Sequence, residues 1–327
     1  MTVREVLYLA ESEVQQCMIM PEAVALAEKG ILAEGEGRAE GDKFYMQIRD
    51  EGFIKPFSGY LEGEDLAYVK TYSFYEGNQQ KGLPVTDSIV LLFEAATGLL
   101  VCHMEANWIT TLKTGASTAI TAKHLARADS KIATIFGAGG QGRSHLLGLA
   151  EVFELEEVRI VDVIPEAASR YAAEMGEQTG LQITIPSSRE DAVRDADIIV
   201  TVTTGNASNV EFSWVKPGAF IAKMGSYQEL DPEMLLEVDK LIVDRWEYVS
   251  YRNPEVKELV KAGKLSESDI HAEWPDIIGE RAVGRESDRE IILYISLGIW
   301  GEYAAILPQV YRRAKELGLG TVVGNHA

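Results

Sequence analysis

The sequence is poor in cysteine and histidine, which limits the sites that it can form. Cys17 and Cys102 are its two cysteines among 327 residues, too few for a disulfide framework and in keeping with a reducing cytosol. The five histidines are scattered, and no two lie within four residues of each other. A histidine-based metal site is therefore not expected.

Basic runs and membrane-spanning segments are lacking as well. The chain has 31 Lys and Arg against 51 Asp and Glu, a net charge of −20, and no run rich in Lys and Arg. That balance argues against a nucleic-acid partner. No apolar run is long enough to cross a bilayer, and the first residues lack the apolar core of a signal peptide. We expect a cytoplasmic protein without a membrane partner.

The stretch with the clearest chemistry is residues 132–142, Ile-Ala-Thr-Ile-Phe-Gly-Ala-Gly-Gly-Gln-Gly. An apolar, β-rich run ends in Gly137, Gly139 and Gly142, spaced as G-x-G-x-x-G, and a helical pattern follows. In a dinucleotide-binding turn these glycines permit a tight turn, backbone approach to a pyrophosphate, and close helix–strand packing. The helix N-terminus offers free N–H groups to the phosphates. The turn, which includes Gly140, predicts an NAD site; a glycine-rich turn in another α/β protein is the alternative.

An acidic residue stands where such a site needs one. Residues 158–162 form a second β-rich run that ends at Asp162, twenty residues after Gly142. A carboxylate at this position binds the ribose hydroxyls of the adenosine and repels a 2′-phosphate. Val163 and Ile164 follow, rather than an arginine. Asp162 therefore predicts a preference for NAD(H) over NADP(H).

Strand and helix patterns alternate from the glycine motif onward, which predicts an α/β fold with a Rossmann-type doubly wound parallel sheet. Ser188 suits a helix cap, and residues 197–203 have the near-continuous apolar character of a buried parallel strand. The other predicted elements are helices at 143–153, 167–179 and 301–317, and strands at 182–185, 220–224, 240–243 and, as the last strand, 291–295.

The part before the motif is predicted to be a second, α+β module. Residues 1–40 have helical spacing, and residues 52–60 look like a loop or a short strand broken by Pro56 and Gly59. Residues 109–127 are predicted to form one long helix that bridges the two modules. Strands are predicted at 43–49, 67–74, 85–93 and 98–104, the last two as a hairpin.

Further cofactor contacts follow from the topology of a parallel sheet. Ligands of such sheets bind outside the carboxyl ends of the strands, which points to the loops after residues 203 and 224. Thr203, Met224, Gly225 and Ser226 are therefore candidate contacts. For Thr203 and Ser226, ordinary capping of a strand end is the alternative.

Several short motifs are distributed along nearly the whole chain, each at one position. They are Val-Lys at 69–70, Gly-Leu-Pro at 82–84, Ala-Thr-Gly at 96–98, Met-Glu-Ala at 104–106, Ile-Thr-Thr-Leu-Lys-Thr at 109–114, Gly-Ala-Gly-Gly-Gln-Gly at 137–142, Glu-Leu-Asp-Pro-Glu-Met-Leu at 229–235, Gly-Arg at 284–285 and Gly-Leu-Gly at 318–320. In this combination the chain resembles the ornithine cyclodeaminase/mu-crystallin family.

The resemblance implies a fold, a cofactor and a substrate class. It implies a Rossmann domain at residues 115–300, and a substrate-binding and dimerisation domain made from residues 1–114 and 301–327. It also implies a homodimer, a nicotinamide cofactor, and an amino or imino acid substrate. The family includes ornithine and lysine cyclodeaminases, alanine and arginine dehydrogenases, and ketimine and imino-acid reductases.

The resemblance also assigns roles to single residues. Lys70 matches the active-site lysine of the family, and Arg49 matches an arginine that holds the substrate carboxylate. Gln141 matches a cofactor contact in the glycine turn, and Ser296 a serine near the nicotinamide. Lys113 stands where the family usually has arginine, so that a cation for the carboxylate is kept but its bidentate fork is lost.

These parts fit an amino acid dehydrogenase or imine reductase, in which hydride passes between the nicotinamide C4 and the substrate α-carbon. Lys70 would exchange a proton with the substrate nitrogen. Its neighbours in the predicted strand are largely apolar, and burial would lower its pKa. A strand lysine that faces solvent is the alternative.

Two other functions stay open. Cyclodeaminases of the family place a catalytic aspartate in a longer loop, where this chain has Tyr227; Glu229 or Asp87 would have to replace it. A binding or storage protein like the crystallin members is the third hypothesis, although the complete cofactor turn and Lys70 argue against it.

Overall fold

The computed structural model of the protein describes residues 3–48 and 52–326. Its strands are β1 (Val3–Leu9), β2 (Ala39–Lys43), β3 (Met46–Ile48), β4 (Gly52–Leu61), β5 (Leu66–Tyr75), β6 (Thr86–Glu94), β7 (Leu100–Glu105), β8 (Ile132–Phe136), β9 (Glu157–Val161), β10 (Gln182–Thr184), β11 (Ile198–Thr201), β12 (Phe220–Lys223), β13 (Lys240–Val243), β14 (Ala272–Glu273), β15 (Ile292–Ile295) and β16 (Thr321–His326). Its α-helices are α1 (Glu11–Val14), α2 (Met20–Gly35), α3 (Asn107–Leu125), α4 (Gly140–Val152), α5 (Pro165–Thr179), α6 (Arg189–Val193), α7 (Trp246–Arg252), α8 (Pro254–Lys261), α9 (Trp274–Ile278) and α10 (Trp300–Leu317). Within residues 3–48 and 52–326, no helix has the length and apolar character needed to cross a membrane.

The chain divides into two compact units, and the division falls within α3. The first unit contains the described residues up to Lys113 and those from Trp300 onward, and the second is Thr114–Ile299. The long helix predicted for residues 109–127 is confirmed as α3, shifted slightly towards the N-terminus.

The first unit is built on one sheet with the strand order β16-β1-β7-β6-β5-β4-β2, in which β3 also pairs with β4. β1 runs parallel to β7, and the other pairs are antiparallel. Side chains alternate between the two faces of such a sheet. One face buries Phe57, Tyr68, Lys70 and Val90, and α10 packs on its strands β4 and β5.

Three predictions that concern strands are wrong. Val3–Leu9, predicted as helix, is a strand because it pairs with β7 and β16, which are distant in sequence. Residues 52–60, predicted as a loop or broken strand, form the continuous β4. Pro56 is tolerated because it lies opposite residues 44–45, where the ladder is interrupted between β2 and β3. The strand at 291–295 is not the last one, since β16 follows it.

The second unit has a fully parallel sheet with the order β10-β9-β8-β11-β12-β15-β13-β14. From β8 the chain winds outward through β9 to β10, and then returns to the other side of β8 with β11 and β12. The switch point of this doubly wound sheet therefore lies between β8 and β11, where ligands of such folds bind. The predicted cap is confirmed, since Ser188 accepts a hydrogen bond from the Asp191 amide at 3.0 Å.

Candidate active site

The glycine turn lies at the carboxyl end of β8. Gly137 has φ +114°, a conformation open to glycine, and a Cβ there would lie 2.9 Å from the Val202 carbonyl. A Cβ on Gly142 would overlap the carbonyl of Gly137, so the start of α4 can pack on the turn only without one. Gly139 and Gly140, by contrast, have open space where their Cβ atoms would stand. Two glycines thus shape the turn, and two leave its backbone accessible to a pyrophosphate.

Gln141 belongs to the same turn. Its side-chain Oε1 is shielded from solvent and has no hydrogen-bond partner within the described parts of the chain. It follows Gly140, the first residue of α4, so it stands beside the free N–H groups of the helix N-terminus.

Asp162 follows β9 and reaches the glycine turn. Its Oδ2 accepts a hydrogen bond from the Ala138 amide at 2.7 Å, and its Oδ1 accepts one from the Ile164 amide at 2.9 Å. Each oxygen keeps a lone pair for a ribose hydroxyl. Val163 is 83% exposed and Ile164 53%, so the surface after Asp162 presents apolar side chains rather than a cation for a 2′-phosphate.

The loops after β11 and β12 are tied together by the buried carboxylate of Glu229. Its Oε1 accepts hydrogen bonds from the Thr203 amide at 2.5 Å and the Thr203 hydroxyl at 2.9 Å. Its Oε2 accepts from the Gly225 amide at 3.0 Å and the Thr201 hydroxyl at 3.2 Å. A Cβ on Gly225 would collide with this carboxylate. The structure thus brings Thr203 and Gly225 to one carboxylate, with Met224 beside Gly225.

A second buried carboxylate supports the first. Glu255 Oε1 accepts from the amides of Glu229 at 2.7 Å and Leu230 at 3.1 Å, and Glu255 Oε2 lies 3.3 Å from the Lys223 ammonium. Lys223 also donates to the Gly225 carbonyl at 2.7 Å. Burial raises the pKa of Glu229, and the positive charge of Lys223 opposes that rise. Both Glu229 oxygens are engaged with the loops, which does not favour the hypothesis that Glu229 replaces the missing catalytic aspartate.

Ser226 and Ser296 complete the predicted cofactor residues. Ser226 is exposed in the loop after β12. Ser296, which follows β15, is buried; its hydroxyl donates to Asp244 at 3.2 Å and accepts from the Gly298 amide at 3.1 Å. The Ser296 amide bonds to the Lys223 carbonyl, so Ser296 lies at the same edge of the sheet as Met224.

In the first unit, Lys70 lies on the buried face of β5 with 1% of its surface exposed. Its Nζ lies 3.4 Å from the Ser88 hydroxyl and 5.4, 5.5 and 5.0 Å from the ring centroids of Phe57, Tyr72 and Tyr303. Burial holds the pKa of Lys70 well below its usual range, and the charges of Lys55 and Lys113 lower it further. The alternative of a solvent-facing lysine is therefore wrong.

Lys113 approaches the same aromatic ring. Its Nζ lies 5.0 Å from the centroid of Tyr303 and forms an ion pair with Glu302 of α10, and both charged side chains are almost wholly buried. The structure thus brings Lys70 and Lys113 to the same ring, that of Tyr303, and Lys113 has Glu302 as its counterion. The sequence analysis did not identify Glu302 as a site residue. The signal for it in the sequence was a charged residue among the apolar residues of the predicted helix 301–317.

Asp87 is not part of this cluster. Asp87 pairs with Ser73 on β5, while Lys70 pairs with Val90, so strand alternation places Asp87 on the face opposite Lys70. The hypothesis that Asp87 replaces the missing aspartate is therefore wrong. Arg49, the predicted carboxylate ligand, lies outside the described residues, and β3 ends just before it at Ile48.

The sequence and the structure are both similar to those of known proteins. The sequence model of the Ornithine cyclodeaminase/mu-crystallin family matches residues 4–318. An alanine dehydrogenase of Archaeoglobus fulgidus is 31% identical over 324 residues, which cover 98% of each chain. The structure of the Thermococcus litoralis Delta(1)-pyrroline-2-carboxylate reductase in complex with NADH and L-proline is 34% identical, with a TM-score of 0.93 and coverage of 97% of this chain and 100% of that one. An archaeal alanine dehydrogenase dimer with bound NAD is 30% identical, with a TM-score of 0.91 and coverage of 98% and 99%.

Proposed function

Because the chain belongs to the ornithine cyclodeaminase/mu-crystallin family, we propose that it is an NAD(H)-dependent oxidoreductase acting on the carbon–nitrogen bond of a small amino or imino acid. The activity is that of an amino acid dehydrogenase or an imine reductase. One observation carries this proposal above all: a buried lysine, Lys70, whose pKa is lowered. The similarity to an alanine dehydrogenase and to a pyrroline-2-carboxylate reductase supports the same reaction class.

The second unit holds the cofactor in this proposal. The turn at Gly137, Gly139, Gly140, Gln141 and Gly142 takes the pyrophosphate, and Asp162 takes the adenosine ribose. Bound NAD(H) supplies or accepts the hydride at the nicotinamide C4. The nicotinamide half lies near Thr203, Met224, Gly225, Ser226 and Ser296, which end the strands on the other side of β8.

The first unit holds the substrate and moves the proton. Lys70 exchanges a proton between its amine and the substrate nitrogen, and burial lowers its pKa, which eases the release of that proton. Lys113 provides positive charge for the substrate carboxylate, and its ion pair with Glu302 keeps that charge in a buried place. Arg49 is proposed as the second cation for the carboxylate.

Cyclodeamination is less well supported. It needs a further acid or base for the attacking amine, and both substitutes for the missing aspartate are engaged elsewhere: Glu229 holds two loops, and Asp87 lies on the other face of the sheet. Tyr227 stands at the position of that aspartate.

We also propose that the protein is a cytoplasmic homodimer that pairs through the first unit. The sheet face opposite Lys70 carries apolar side chains that are only half-buried or exposed, namely Ile54, Tyr60, Val69, Ile89, Leu91 and Phe93. A second copy of the chain would cover them. The similar archaeal alanine dehydrogenase is a dimer. Light scattering on the purified protein tests the dimer. Both cysteines are free, in keeping with a cytoplasmic location.

An NADH-consumption screen tests the proposed reaction. The substrates are 2-oxo acids with ammonia or methylamine, and cyclic imines such as pyrroline-2-carboxylate. We expect steady turnover with at least one of them. Ammonia release from ornithine without net change in NADH would favour the cyclodeaminase instead, and NADH binding without any turnover would favour a binding protein.

A further inference from the structure

The two loops at the switch point of the second unit are joined by a cluster of buried charges. We call residues 202–206 the β11 loop and residues 224–228 the β12 loop. Glu229, Glu255 and Lys223 lie beneath them, and each is fully buried. A buried charge is costly unless it is paired or hydrogen-bonded. Here Glu229 accepts hydrogen bonds from both loops, and Glu255 and Lys223 pair with each other at 3.3 Å.

We propose that the Glu229 carboxylate is a positioning group that fixes the β11 and β12 loops as the platform for the nicotinamide half of the cofactor. The inference rests on the proposed NAD(H) function and deepens it. Glu229 is not a catalytic residue in this proposal, because both its oxygens face loop donors rather than open space.

The pattern of the hydrogen bonds carries the proposal. Four donors converge on the two oxygens: the amides of Thr203 and Gly225 and the hydroxyls of Thr203 and Thr201. Backbone N–H groups can only donate, so both terminal atoms of the side chain must be acceptors if the Thr203 and Gly225 amides are both to be hydrogen-bonded. The Glu229 carboxylate thus ties the β11 loop to the β12 loop at Thr203 and Gly225.

The place of the loops assigns the half of the cofactor. In the order β9-β8-β11-β12, Asp162 ends the strand on one side of the glycine turn, and the two loops end the strands on the other side. A dinucleotide lies across the switch point of such a sheet. Since Asp162 takes the adenosine ribose, the platform held by Glu229 takes the nicotinamide half.

Further bonds stiffen the same region. The Asn209 amide donates to the Glu229 carbonyl at 2.7 Å, and the Ala207 amide donates to the Gln228 carbonyl at 3.1 Å. The Gln228 amide donates to the Asn206 side chain at 3.2 Å. These bonds hold the rear of the platform, and the Glu229 carboxylate holds its front at Thr203 and Gly225.

The variant Glu229→Gln tests the proposal with almost no change in volume. Its amide nitrogen must face either the Thr203 amide or the Gly225 amide, donor against donor. We expect the Kd for NADH to rise roughly 10- to 100-fold, as for the loss of a buried charge-assisted hydrogen bond. The Kd for ADP-ribose, which lacks the nicotinamide, should not change. Both are measured by calorimetry on the full chain.

Asp197→Asn is the matched control. Asp197 is also a buried carboxylate of the second unit, and it accepts from the Lys131 and Ile132 amides at 2.8 and 2.9 Å. It lies at the amino end of β11, the end opposite the platform. This variant should lower the melting temperature and leave the ratio of the two Kd values as in wild type. Should Glu229→Gln fail to fold, Thr201→Val, which removes one donor, should raise the NADH Kd a few-fold in the same direction.

The binding data distinguish a failure of the positioning role of Glu229 from a failure of the proposed NAD(H) function. If wild type binds NADH, and Glu229→Gln or Thr201→Val leaves the ratio of NADH to ADP-ribose affinity unchanged, the positioning role is wrong and the proposed function stands. If both ligands weaken equally in Glu229→Gln, the residue is merely structural, and the inference is again overturned. If wild type binds neither ligand, the proposed function itself fails.

Discussion

Replacing Lys70 by methionine removes the proton carrier and keeps a flexible side chain of similar length. General acid–base help is typically worth ~10²–10⁴-fold in rate, so kcat on the best substrate should fall by about that factor. The Kd for NADH should stay near that of wild type, because the residues proposed to hold NADH belong to the other unit.

The same substitution should not weaken the fold. Lys70 is 1% exposed, and its hydrogen bond to Ser88 is long at 3.4 Å, so the burial of its amine is poorly compensated. A methionine avoids that penalty and fills the space between Phe57 and Tyr303. We expect a melting temperature equal to or above that of wild type at neutral pH.

The stability difference should depend on pH in a defined direction. The pKa of Lys70 is lowered in the folded protein, so between that value and its ordinary pKa the unfolded chain binds one more proton. Over this window, the free energy of unfolding of the wild type should rise by about 1.4 kcal/mol for each unit of increasing pH, because of Lys70. The methionine variant lacks this rise. The advantage of the variant should therefore be largest at low pH and should shrink as the pH rises towards the ordinary pKa of lysine.

Steady-state NADH oxidation and thermal unfolding across pH measure both effects. Lys240→Met is the control, since Lys240 is also buried but lies at the amino end of β13 in the second unit, paired with Glu286 and Glu290. It should lose stability and keep its kcat. If Lys70→Met retains more than about a tenth of the wild-type kcat, below the range of general acid–base effects, the proton-transfer role of Lys70 is wrong.

Three further predictions concern cofactor choice, pH and side activity. Asp162→Ser removes the charge that faces the ribose, and it should shift the preference from NADH towards NADPH by about tenfold or more in kcat/KM; an unchanged ratio would show the charge to be irrelevant. Lys55→Met removes a positive charge that lowers the pKa of Lys70, so the limb of the kcat–pH profile that belongs to Lys70 should move to higher pH; a shift to lower pH would contradict the assignment. Wild type should form little or no proline from ornithine under conditions where it reduces an imino acid, as followed by chromatography of the products.

The local features of the site could be predicted from the sequence. The turn from Gly137 to Gly142 depends on backbone geometry within a few residues, and the glycine spacing records that geometry directly. Asp162 could be predicted because strand, helix and strand of one unit follow each other along the chain. The active-site role of Lys70 was expected from the family resemblance, because its neighbours in the strand alone left a solvent-facing lysine open.

The non-local features could not be predicted in this way. β1 is a strand because β7 and β16 pair with it, and nothing within residues 3–9 reports those partners. The role of Glu229 depends on where the loops after β11 and β12 meet, and the face of Asp87 depends on the register of β5 and β6. Glu302 meets Lys113 across most of the length of the chain. Each of these depends on tertiary contacts rather than on local pattern.

Isotope transfer tests the proposed reaction most directly. NADH that carries deuterium at C4 is turned over with an imino acid, and the amino acid product is examined by NMR and mass spectrometry. Direct hydride transfer predicts one deuterium at the α-carbon of the product when the label is on the transferred face, and none when it is on the other face. A product that stays unlabelled with both forms of NADH, or a label that appears only in water, would contradict hydride transfer to the α-carbon.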